Sequence, residues 1–212
     1  MAKSAPPPPS PEWIYDRQKA IYRKGNRGLA PSKIVNARND AIAASMPGVD
    51  VLTARLASGS ITVQQWTAAM REQIKTAYTQ QYILGRGGVG AMSQADYGRI
   101  GGMLTEQYRY LDQFAREIAQ GKLSPGQIAM RARMYMDSAT QAYERGRAAA
   151  RGLRLPAYPG DGATRCRTRC KCRWDIKETE AGYVCYWRLG RAEHCDDCLR
   201  NAAIYNPLTI AI

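Results

Sequence analysis

All six cysteines of the chain lie between positions 166 and 198. They are written Cys166-Arg-Thr-Arg-Cys170-Lys-Cys172-Arg-Trp174, then Cys185, then His194-Cys195-Asp-Asp-Cys198. Thiolates are soft ligands, and a Cys-x-x-Cys pair such as Cys195 and Cys198 can grip one tetrahedral zinc ion. Cys166 with Cys170, or Cys170 with Cys172, can supply the remaining ligands. In a reducing compartment this crowding reads as metal binding. Buried free thiols, or disulfides formed in an extracellular particle, are the other readings. Counting cross-strand neighbours, Cys172 can face Cys185, which would take that pair out of the metal site. His194 is the only histidine. It stands beside the Cys-x-x-Cys, although adjacent residues seldom both reach one ion. The expected metal set is therefore Cys166, Cys170, Cys172, Cys195 and Cys198, holding one zinc.

Catalysis has no comparable signature. A catalytic zinc keeps an open position and a nearby base, and nothing in the sequence marks either. No paired acids with a base, and no nucleophile with a histidine partner, can be singled out. Gly85-Arg-Gly-Gly-Val-Gly90 is not followed by GKS or GKT, so it is no phosphate loop. We expect no catalytic residues and no enzyme.

Cations alternate with the cysteines: Arg165, Arg167, Arg169, Lys171 and Arg173. In an extended chain, alternation puts thiols on one face and charge on the other. With Arg145, Arg147, Arg151 and Arg154 they form an expected phosphate-contacting patch. The balance of the whole chain agrees: 31 Lys and Arg against 18 Asp and Glu, net +13. Such a surface attracts nucleic acid, acidic protein or anionic lipid. Of the expected partners DNA is one, bound without sequence specificity. No signal peptide is visible in the proline-rich start, and no apolar run is long enough to span a bilayer. A soluble protein made in a cytoplasm, with no membrane partner, is expected.

The elements that position these residues read as follows. Residues 1–11 are a proline-rich flexible arm. Residues 12–151 form a helical body, 152–162 a linker, and 163–212 the cysteine module. In the body, the periodicity predicts helices over 12–24, 32–45, 49–57, from Thr62 to about Gly85, from Ser93 to about 120, and from Pro125 to about 151. Thr62 with Gln65, and Ser124 with Gln127, are capping-box pairs, and Ser93 with Asp96 restarts a helix. Two corners, at Gly59 and Gly121, reuse one capping solution. In the module, Arg173–Ile176 and Tyr183–Trp187 predict a hairpin joined by Lys177–Gly182. A helix follows, with Asp196 and Asp197 at the positive end of its dipole. The fold class is mainly α: a multi-helix body with a small C-terminal zinc-binding hairpin and helix, treble-clef-like in outline. Such a hairpin is too small to stand alone, and a metal would supply its folding energy.

The order Cys166-x3-Cys170-x-Cys172-x-Trp174, Trp187-Arg-Leu-Gly190, Ala192-Glu-His-Cys195-Asp-Asp-Cys198-Leu resembles the C-terminal motif of bacteriophage head morphogenesis, or minor head, proteins. Leu56-x2-Gly59-x-Ile61-x4-Trp66-x3-Met70 and Met92-x2-Ala95-Asp96-Tyr97-Gly98-Arg99 are similar to the helical part of that group. The resemblance implies a virion location, near the portal or inner capsid wall. It implies a role in head assembly or DNA packaging, with portal or major capsid protein as partner. It implies no established activity. A zinc-module regulator binding nucleic acid is the alternative.

Overall fold

The computed structural model describes residues 13–167, 170–191 and 193–211. The fold is mainly helical, with two small antiparallel sheets. Among the described residues, no helix is long and apolar enough to cross a membrane. The proline-rich arm, Arg169 and Ala192 lie outside the described residues.

The first departure from expectation is at the start. Residues 13–28 are not a helix but a sheet: β1 (Ile14–Asp16), β2 (Ile21–Lys24) and β3 (Arg27–Gly28). Local turn chemistry breaks the helical period. The Asp16 carboxylate accepts from the backbone N–H groups of Gln18 and Lys19. Ala20 and Gly25 take left-handed backbone angles, closing the two turns. The sheet is anchored from afar: Tyr22 is buried and its hydroxyl donates to the Gly85 carbonyl at 2.5 Å.

Helix α1 (Pro31–Ala57) runs unbroken through Pro47, where two helices were expected. An interior proline costs roughly 3 kcal/mol in an isolated helix. Here Ile42, Met46, Val49, Leu52 and Leu56 all pack into the main core, on both sides of Pro47, and hold the helix together. The capping boxes at Thr62, Ser93 and Ser124 all form, opening α2 (Val63–Arg86), α3 (Gln94–Ala119) and α4 (Pro125–Ser138). Gly87, left-handed, ends α2. The last long helix divides at Ala139 into α4 and α5 (Thr140–Ala150). The cause is a polar knot. Ser138 donates back to the Tyr135 carbonyl and shares a 2.8 Å bond with the buried Tyr78 hydroxyl, which also accepts from Gln141.

That bend sends α5 across α2 at two glycines. A Cβ on Gly85 would lie 2.1 Å from the Tyr143 carbonyl oxygen, and one on Gly146 would lie 2.4 Å from that of Tyr82. Backbone meets backbone there, which only glycine permits. The main core (Trp66, Met70, Ile74, Leu111, Phe114 and Met136 among others) fills the space between α1, α2, α3 and α4.

A second core belongs to the C-terminal part. Strands β4 (Arg173–Thr179), β5 (Gly182–Arg188) and β6 (Leu208–Ala211) form a sheet in that order, with α6 (Asp196–Ile204) between β5 and β6. The hairpin turn is tighter than expected, with Thr179 opposite Gly182. Trp174 and Trp187 face one another across it, edge to face at 5.4 Å. The stretch 152–162 is packed into this core rather than loose. Leu153, Leu155 and Tyr158 are buried in it, Tyr158 accepts from the Leu155 N–H, and the Trp174 indole donates to the Ala157 carbonyl. Its glycines and prolines suggested a linker, but its three large side chains need an apolar environment.

Candidate metal centre

Two pieces of chain 32 residues apart build the site. The first carries Cys166 and Cys170. Arg167 takes a left-handed conformation, its N–H donating to the Thr164 carbonyl at 2.8 Å. The second is the start of α6. Cys195 is the cap residue, and its carbonyl accepts from the N–H groups of Cys198 and Leu199. This one turn carries Cys195 and Cys198. The acidic pair between them also has a second role beside its place at the helix dipole. Asp197 accepts from the Arg165 backbone N–H at 2.9 Å and from Arg200, and Asp196 pairs with the Arg165 guanidinium at 3.3 Å. The carboxylates thus latch the loop onto the helix.

Cys166 and Cys198 place their sulfurs 3.6 Å apart, as do Cys170 and Cys198. Zinc–thiolate bonds of about 2.3 Å at tetrahedral angles require sulfur–sulfur edges of about 3.8 Å. The three sulfurs therefore sit close to the spacing that one ion imposes, all within 4.8 Å of one another. Among the described residues this trio is the one such group of three or more His, Cys, Asp and Glu donors, and His194 is not in it. The cysteines are free thiols, without disulfides.

Cys172 and Cys195 abut the trio. The neighbouring Cys170 thiol draws Cys172 down to about 5 against the effect of burial, helped by the Gly190 N–H. Cys172 as hydrogen-bond partner, and then burial, push Cys170 up. Burial and the Cys166 thiol push Cys198 up. For Cys195 burial works upward, but the N–H groups of Cys198 and Cys166 outweigh it, and its thiol is lowered. Cys172 and Cys195 are thus shifted toward the thiolate, the form that ligates metal. The donor set fits a soft, four-coordinate cation, with one sulfur to spare. Gly190 makes the fit possible: a Cβ there would lie 2.3 Å from the Lys171 carbonyl oxygen.

The alternative in which Cys172 faces Cys185 does not occur. Strand register puts Ile176 and Leu208 opposite Cys185, which is fully buried in the second core. Cys172 precedes the strand and turns toward Cys170 and Cys198 instead.

The basic residues divide. Arg154, Arg165, Arg167, Lys171 and Arg173 are exposed, and the expected alternation holds over 170–174, where cations point out and Cys172 and Trp174 point in. Arg169 lies outside the described residues. The α5 arginines are not part of that exposed set, because α5 is packed on most of its surface. Arg145 stacks on the Tyr158 ring at 4.4 Å. Arg147 pairs with buried Glu144 and donates to the Trp174 carbonyl. Arg151 is 8% exposed and covers the Tyr15 ring at 4.2 Å. Arg145 and Arg147 join the body to the second core, while Arg151, the cap at the end of α5, holds the N-terminal sheet. The Asp196–Asp197 latch and the Gly190 contact were not foreseen; only the acidic pair left a signal in the sequence, and it admitted a simpler reading.

Neither a protein-family model, nor a curated protein, nor a solved structure matches the chain.

Proposed function

We propose that the chain is a structural minor head protein of a tailed bacteriophage, placed at the portal or inner capsid and acting in head assembly or DNA packaging. It is not an enzyme in this reading. Its C-terminal part is a treble-clef-like module in which one zinc joins the 166–172 loop to the first turn of α6. The observation that carries the reading is the convergence of the motif residues. Cys166, Cys170, Cys172, Trp174, Trp187, Gly190, Cys195 and Cys198, on which the resemblance to minor head proteins rests, all belong to one contiguous cluster. A motif scattered over the fold would have no such support. The metal acts by tying two chain segments together, so its binding energy is folding energy.

Two measurements test this. Mass spectrometry of purified particles should find the chain at fixed copy number beside portal or capsid protein; its absence from particles would defeat the virion assignment. Metal analysis of reduced protein should give about one zinc per chain, and Cys198→Ser should abolish it. A metal-free, fully folded protein would defeat the module assignment.

One observation favours a second reading, a zinc-module regulator that binds nucleic acid: the exposed cations at Arg165, Arg167, Lys171 and Arg173 beside the thiol cluster. A sequence-specific footprint on duplex DNA would select it over the structural role.

A further inference from the structure

A cavity of about 1000 Å³ lies between the N-terminal sheet, α1, α5 and the chain entering β4. Its α1 wall is aliphatic, with Ile34, Val35, Ile42 and Met46. The opposite wall is cationic. Arg147, Arg151, Lys171 and Arg173 line it together with Asp137, Glu144 and Asp175, and Arg38 adds one cation to the α1 wall itself. Two of the three carboxylates are already paired with arginines, Glu144 inside the cavity and Asp175 outside it. Glu144 is shared by Arg38 and Arg147, Asp175 pairs with Arg188, and Asp137 is exposed at the edge. Arg151 is the telling residue. It is buried, its guanidinium reaches the Tyr15 ring face, the Tyr22 side chain and the Arg147 carbonyl, and among the described residues no carboxylate pairs with it. A buried cation without a counter-charge is costly unless an anion completes it.

We propose that this cavity receives an acidic, aliphatic peptide segment of a partner protein. Arg151 takes a carboxylate, in the forked geometry that guanidinium favours, and the α1 wall takes the aliphatic side chains. The volume stands at the upper end for a ligand pocket, so several side chains fit. A nucleotide suits the space less well, since its base would need a free aromatic face. Tyr143 lies under Arg38 and Arg147, Tyr22 tilts against Tyr15, and Trp174 packs against Trp187 and Tyr205. The cavity does not depend on the virion assignment, so its test is a binding measurement on the isolated chain.

The full chain, reduced and supplied with zinc, is titrated into a fluorescein-labelled eight-residue peptide of alternating leucine and glutamate, followed by anisotropy. Comparators are the same peptide with glutamine for glutamate, and an unlabelled eight-nucleotide oligothymidine as competitor. The glutamate peptide should bind, and the glutamine peptide should bind roughly tenfold more weakly, as loss of a charge-assisted bond predicts. Arg151→Met should cause a loss of similar size. Because Arg151 also packs on Tyr15, Val35→Glu is the second variant: its side chain is on the α1 wall yet 40% exposed, so it repels the peptide without disturbing the core. Equal binding of both peptides, no binding of either, or binding unmoved by Val35→Glu would overturn the proposal. So would displacement by the oligonucleotide that Val35→Glu relieves, which would make the cavity a nucleic-acid site.

Discussion

Substituting Gly146 by alanine tests the crossing of α5 over α2. The new Cβ would stand 2.4 Å from the Tyr82 carbonyl oxygen and 3.0 Å from the Arg86 nitrogen. Both are backbone atoms, so no side chain can swing away. Restoring a contact of 3.4 Å means parting the helices by about 1 Å, and overpacking of this kind costs about 1–3 kcal/mol, at the upper end when backbone must move. Alanine's better helix propensity returns about 1 kcal/mol. The net expectation is a loss of about 2 kcal/mol, or about 4–8 °C in Tm for a chain of this size. Separation there would also loosen Tyr22, whose hydroxyl bonds to the Gly85 carbonyl. Urea unfolding followed by circular dichroism measures the loss. Gly101→Ala is the control: it lies on the exposed face of α3 with nothing within 4 Å of a new Cβ, and it should gain up to about 1 kcal/mol. If Gly146→Ala matched that gain, the backbone crossing described above would be incorrect.

Asp96→Asn should destabilise the body by about 3 kcal/mol, since the buried carboxylate accepts from Tyr82, Ser93, Arg86 and Arg99. Burial pushes that carboxyl up, but the hydrogen bonds from Tyr82, Ser93 and Arg86 outweigh it and hold it well below the usual range. Its stabilisation is thus complete above the unfolded value of about 3.9 and is lost as pH falls below it; the variant's stability should be flatter in that acid range. A chelator should remove near-ultraviolet signal from Trp174 and Trp187 while leaving most far-ultraviolet helical signal, because the main core contains no cysteine; collapse of the helical signal would mean one shared core. Charge reversal at Arg167 should flatten the salt dependence of duplex-DNA retention by about one counterion, whereas Lys33→Glu, on exposed α1, should change it less; equal effects would point to diffuse charge.

What the sequence disclosed was set by range. The three capping boxes span four residues each, and all were legible because both partners lie in one short window. The cysteine cluster was legible by spacing, but membership was not. Cys198 meets Cys166 and Cys170 across 32 and 28 residues, and only the register of β4 on β5 removes Cys185 from the set. The N-terminal sheet escaped because its apolar residues fit a helical stripe, while the contacts that hold it are remote. The α4–α5 bend escaped likewise, since Ser138 looks innocuous until Tyr78 stands beside it. The burial of Arg147 and Arg151 could not be read at all, because charge pattern says nothing of which helix face is covered.

The anchoring of the first strands has a consequence for the chain as it is made. Tyr22 waits for Gly85, 63 residues later, and Arg17 donates to the Arg151 carbonyl, 134 residues later. At ribosomal speeds, an interval on the order of ten seconds separates synthesis of the strands from that of the surface they rest on. Throughout it Ile14, Tyr15, Ile21 and Tyr22 are without their docking site, and the edge of a small sheet is open to pairing with other chains. Factors that shield nascent chains would have their longest engagement with the first thirty residues, and slowing translation would lengthen the exposure there more than at any helix, whose caps close as soon as they emerge.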